Sequence, residues 1–164
     1  MANVDGFAFH ITVSSTTLAW TVEAIPGGGS VWVCAPGACS PKLLLSLPGA
    51  GLTGVALDAA NVYFTTEDAV MRCPITGCDG APTPLVSGLC GLMGVATDGE
   101  NVYFTQAVMG LGGAVLKCPV GGCQGPPTVL AASVKPSLPV GLVVDATSVY
   151  WGDPDAGTVM RAAK

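Results

Sequence analysis

Gly54-Val-Ala-Leu-Asp58-Ala-Ala-Asn61-Val-Tyr-Phe-Thr65 decides the reading of this chain, because it returns. It reappears as Gly94-Val-Ala-Thr-Asp98-Gly-Glu-Asn101-Val-Tyr-Phe-Thr105 and as Gly141-Leu-Val-Val-Asp145-Ala-Thr-Ser148-Val-Tyr-Trp-Gly152. A worn first copy is His10-Ile-Thr-Val-Ser14-Ser-Thr-Thr17-Leu-Ala-Trp-Thr21. The copies start at residues 10, 54, 94 and 141, a period of 40 to 47 residues. Such a period, built from short apolar runs and turns, marks a repeat architecture.

One copy gives the plan. Gly54–Leu57 reads as a strand, and Asp58-Ala-Ala-Asn61 as a turn whose polar side chains bond their own backbone. Val62–Thr65 is β-branched and aromatic, hence a second strand. Glu67-Asp68 is a polar turn, Ala69–Cys73 a third strand, and Thr83–Ser87 a fourth. The fourth carries Pro84, as an outer strand can. Four strands in about 40 residues, without helical periodicity, predict one blade of an all-β propeller. The blades are expected at about 10–53, 54–93, 94–140 and 141–164, within a single, partial propeller domain spanning 1–164. The fourth copy stops after its third strand.

Composition fits buried strands. Half of the 164 residues are apolar and 10% are charged, which speaks against disorder. No run approaches the roughly 20 apolar residues of a membrane span. A net charge of -5 with six basic residues argues against nucleic acid and against an anionic lipid surface. Met1–Asp5 has neither a basic nor a long apolar segment, so no signal peptide is visible. The leader has been removed, or the chain is a fragment, or another route exports it.

Six of seven cysteines also repeat. Cys34…Cys39, Cys73…Cys78 and Cys118…Cys123 are three C-x4-C loops at one point of the repeat, and Ala162 takes the place of Cys73 in the last copy. Zinc would require four converging ligands. Each pair sits in its own repeat and the only histidine is His10, so local disulfides are expected over a metal site. Paired cysteines imply an extracellular or periplasmic setting. Cys90 is left over: a buried small apolar residue by expectation, a reactive thiol or intermolecular bridge by the alternative.

The connection between second and third strands varies in length. Thr21–Ser30 and Thr105–Ala114 are each five residues longer than Thr65–Ala69. These hairpins share a face with the crossovers between blades, the natural binding face. Glu23, Glu67, Asp68, Gln106, Met109, Asp153 and Asp155 are its candidate residues, against the plainer role of solubilising loops. Asp58, Asp98 and Asp145 are read as turn caps, with Ser14 in their place in the first copy. Arg72, Lys117 and Arg161 share a register on the third strand, expected on a solvated face. Trp20, Phe64, Phe104 and Trp151 are expected between blades, and Trp32 as core or contact.

Leu57-Asp58…Asn61-Val-Tyr-Phe-Thr65 and Val144-Asp145…Val149-Tyr-Trp151 resemble the YWTD-type repeat of extracellular propellers. They are also similar to the repeats of NHL and virginiamycin-lyase-like propellers. The Cys-Pro-x-x-Gly-Cys turns at Cys73 and Cys118 resemble those of secreted myxobacterial propeller-repeat proteins. The likeness runs from about His10 to the end and implies a fold rather than a chemistry. Only Tyr150-Trp151 keeps the Tyr-Trp pair, and no copy reads Tyr-Trp-Thr-Asp. A lyase of the virginiamycin type implies a catalytic histidine with acidic partners at a metal. His10 lies in the worn copy, so no catalytic residue carries over.

Three copies of four strands and one of three make 15, one short of a full set. Residues 1–9 supplying the last strand, two chains joining as an eight-bladed ring, or further blades in a longer or open assembly would each complete it. The expectation is a non-enzymatic, secreted structural or binding module, without cofactor, self-associating through open blade edges. Its partners are further copies or blades. The alternative is a lactonase- or lyase-like enzyme with a metal in the central channel. Val55-Ala-Leu57, Val95-Ala-Thr97 and Leu142-Val-Val144, on the innermost strands, are plain for that role.

Overall fold

The computed structural model describes residues 6–24, 27–108, 112–133 and 138–164. They form four antiparallel sheets and no helix, arranged as a four-bladed β-propeller. The first blade runs β1 (Phe7–Val13), β2 (Leu18–Glu23), β3 (Gly29–Cys34) and β4 (Lys42–Leu47). The second is β5 (Gly54–Leu57), β6 (Asn61–Thr65), β7 (Val70–Pro74) and β8 (Thr83–Val86). The third is β9 (Leu92–Thr97), β10 (Asn101–Val108), β11 (Gly112–Pro119) and β12 (Thr128–Ala132). The fourth has β13 (Val140–Val144), β14 (Ser148–Asp153) and β15 (Thr158–Ala163). In each sheet the strands lie side by side in chain order.

Period-2 alternation divides each sheet between two neighbours. Along β6, Val62 and Phe64 pack back onto Ala19, Val31 and Val33 of the first blade. Tyr63, between them, points forward onto Val95, Val102 and Phe104 of the third. The pattern steps on once more: Tyr103 and Val115 meet Leu142, Val149 and Trp151. Phe64, Phe104 and Trp151 therefore fill the three junctions, as their shared register predicts. Trp20, the fourth member, clusters within its own blade with Val22 and Cys34, and stacks on half-buried Trp32 at 6.5 Å.

The innermost strands crowd the axis. A Cβ at Gly54 would stand 2.6 Å from the Met93 carbonyl of the next blade, so only glycine fits there. Thr65 Oγ1 donates to that same carbonyl at 2.9 Å. Packing of this kind joins β1 to β5, β5 to β9 and β9 to β13; among the described residues, β13 and β1 do not pack to that extent.

The last blade has three strands, as the sequence predicts. Residues 7–9 do not supply its fourth. Phe7 and Ala8 pair with Glu23 and Val22 inside the first blade. A register shift between Ala8 and Ile11 separates this pairing from that of Ile11, Thr12 and Val13 with Trp20, Ala19 and Leu18. Residues 1–5 lie outside the described residues.

Candidate functional site

One end of the propeller is made of first turns and cysteine loops. Asp58 Oδ1 accepts the Ala60 and Asn61 N–H groups at 2.7 and 2.8 Å, and its Oδ2 accepts the Tyr63 hydroxyl at 2.6 Å. Asp98 repeats this with Glu100, Asn101 and Tyr103, and Asp145 with Thr147, Ser148 and Tyr150. Burial pushes the Asp58 carboxyl up, and the hydrogen bonds from Tyr63 and the two N–H groups outweigh it, holding it below its ordinary value of 3.8. The Thr147 N–H, then Tyr150 and Ser148, hold Asp145 down to about 2. Burial and the facing carboxylates raise Tyr63 and Tyr103 well above 10. These aspartates are thus ionised, capped and spoken for.

Reading the turns missed the tyrosines. The signal was present: aspartate is followed five residues later by tyrosine in three copies, and the first copy lacks both, with Ser14 and Ala19. Ser14 Oγ still accepts the Thr17 N–H at 3.0 Å.

Cys34–Cys39, Cys73–Cys78 and Cys118–Cys123 are disulfides with Cα atoms 5.1, 5.5 and 5.1 Å apart. They close the loops beside these turns, where the Ile75 N–H also donates to the Ala60 carbonyl at 2.9 Å. The expected solvated face for the basic residues is corrected at Arg72. Its Nη1 donates at 2.9 Å to the Val120 carbonyl in the next blade's cysteine loop. Alternation that turns Tyr63 forward also turns Arg72, its cross-strand partner, toward that blade.

The opposite end gathers the variable hairpins and the crossovers, since each second strand ends beside the start of its blade. Glu23 is half-buried at the end of β2 and lines the mouth of the channel. Glu67 and Asp68 are exposed, and Asp68 Oδ1 accepts the Thr66 hydroxyl at 3.0 Å. Gln106 Nε2 donates to the Cys90 carbonyl at 2.9 Å. Asp153 Oδ1 accepts the Ala156 N–H at 3.2 Å, and Asp155 is exposed in that turn. Met109 lies outside the described residues. Cys90 is free and exposed, which corrects its expected burial. It stands between left-handed Gly88 and Gly91 in a crossover that turns Leu89 inward against the second junction.

Between the ends, the four innermost strands line an open channel of about 410 Å³. Its walls are mostly apolar, from Val55, Val95 and Leu142 among others. His10 and Glu23 also border it. Partial desolvation lowers the His10 imidazole from its ordinary value of 6.5. Among the described residues, no three His, Cys, Asp or Glu side chains gather as a metal site.

The propeller fold is shared with solved structures of unlike roles. The chain is 18% identical to the computationally designed Ika4 protein, with a TM-score of 0.63 over 98% of this chain and 93% of that one. It is 14% identical to virginiamycin B lyase from Staphylococcus aureus, with a TM-score of 0.63 over 98% of this chain and 57% of the lyase. TolB from Acinetobacter baumannii matches at 12% identity and a TM-score of 0.56, over 97% of this chain and 43% of TolB. The chain spans about half the length of the two natural proteins. No protein-family model matches, and no curated protein does. The class defined here is the β-propeller.

Proposed function

We propose that this chain is a secreted structural or binding module of the YWTD/NHL-like kind, that it has no catalytic activity, and that it self-associates. The observation that carries the reading is how fully architecture absorbs its recurring polar residues. Aspartates cap turns and hold tyrosines, six cysteines close loops, and Arg72 ties two blades together. The variable hairpins and the unfinished fourth sheet remain as surfaces for partners. Three disulfides are compatible with an extracellular or periplasmic setting. Sizing the purified chain together with titrating its thiols under denaturing conditions tests this. An oligomer with one reactive thiol per chain is expected; a monomer with seven would overturn it.

A second reading, an enzyme with a metal in the channel, draws on His10 and Glu23 bordering the same cavity. Calorimetric titration with Mg²⁺ and Zn²⁺ separates the two. Stoichiometric binding that disappears in His10→Ala would favour the enzyme.

A further inference from the structure

Each internal junction joins a forward face to a backward face, and among the described residues a face of each kind is left exposed at the first and last blades. At the forward position of the third strand, Val31, Val70 and Val115 are at most 1% exposed, whereas Val159 in the last blade is 81% exposed. On the innermost strand, Ala56 and Ala96 are 5% and 8% exposed, and Val143, in their register, is 59%. The backward face repeats the contrast. Val55, Val95 and Leu142 are each 7% exposed, and Ile11 is 69%. The space beside the axis tells the same story. A Cβ at Gly94 would meet Leu142 at 3.3 Å, while one at Gly141 would meet nothing within 4 Å.

We infer that the forward face of the last blade docks on the backward face of the first blade of a second copy, and that two such junctions close an eight-bladed ring. This rests on the self-association proposed above and names its partner and geometry. The pairing continues an interface the chain already makes three times. Val143, Tyr150 and Val159 take the parts of Ala56, Tyr63 and Val70; Ile11 and Leu18 take those of Val55 and Val62. A polar contact goes with it. Arg161 stands in the register of Arg72, exposed, with no hydrogen bond or ion pair among the described residues. Pro36, two residues past Cys34, stands where Val120 stands past Cys118. Arg161 is therefore placed to donate to the Pro36 carbonyl of the other copy, as Arg72 does to Val120. Two copies give eight blades, within the usual range of four to eight, and three would exceed it.

Sedimentation equilibrium of the 164-residue chain tests this with one variant on each face. Ile11→Glu and Val159→Glu change exposed side chains, so circular dichroism should be unchanged. The wild type should weigh twice 16.3 kDa. Either variant by itself should be monomeric. An equimolar mixture should recover a dimer, because one of its two junctions carries neither substitution. Arg161→Ala should weaken the dimer about a hundredfold, about tenfold for the charge-assisted hydrogen bond lost at each of its two junctions. A monomeric wild type would overturn this inference and the wider reading together. A dimer broken by Val159→Glu but untouched by Ile11→Glu would indicate pairing along the β15 edge, keeping self-association and overturning the ring. A ladder of masses above the dimer would also overturn closure.

Discussion

Asp58 and Tyr63 are joined by a short hydrogen bond, and each also serves something else. The carboxylate caps the turn, and the tyrosine fills the junction with the next blade. Asp58→Ala should cost about 1–3 kcal/mol in urea unfolding, since it removes a cap and leaves a phenol without its acceptor. Tyr63→Phe should cost less, because the carboxylate keeps water and two N–H groups. A double-mutant cycle should show coupling of about 0.5–3 kcal/mol between them; strict additivity would deny the bond. The same carboxylates set a pH limit. Asp58, Asp98 and Asp145 have folded-state values below 3.8, so the unfolded chain takes up their protons first as pH falls. Their contribution is fully present above about pH 5 and is lost on going from about pH 4 toward pH 2. Acid titration of stability should fall in that window, and Asp145→Asn should flatten the curve. The caps were legible because aspartate, turn and asparagine are neighbours in sequence. Arg72 was not, since its acceptor, Val120, lies 48 residues away on another sheet.

Strands, turns and loops followed closely from local chemistry. The four strands read in the second copy lie within a residue or so of β5 to β8, because alternation and turn residues mark both ends. Cys90 was misread because a crossover has no periodicity, and glycine torsions decide which side chain turns out. Two contacts at the second junction test how the blades are locked. Gly54→Ala sets a methyl against the Met93 carbonyl and should destabilise by about 1–3 kcal/mol, as overpacking does. Thr65→Val keeps the shape and loses the bond to that carbonyl, for about 1 kcal/mol by the same unfolding assay. The disulfides act on the unfolded chain. A six-residue loop accounts for about 2 kcal/mol, so removing Cys73–Cys78 as Cys73→Ala with Cys78→Ala should lower the melting temperature by about 4–8 °C. Cys73 is fully buried, so the observed loss should reach the upper part of that range. No change at all would mean the loop is held by its backbone bonds.

At the scale of the molecule, period and strand count were enough to predict a propeller with an unfinished last blade. What the period did not contain was the direction of the junctions. That comes from which residues of β6 and β10 turn backward and which forward, and it appears only when neighbouring sheets are seen packed. With direction known, the exposure of Ile11 at one end and Val159 at the other becomes a complementary pair. Exposed apolar faces of this kind mark interaction sites. Charge does not oppose their meeting strongly, since only 10% of residues are charged. Light scattering on the eluting chain and its Cys90→Ser variant measures the outcome most directly. Twice 16.3 kDa is expected for both, because the junction is made by blade faces and not by the exposed thiol. A mass of 16.3 kDa for the wild type, or a dimer lost with Cys90, would contradict it.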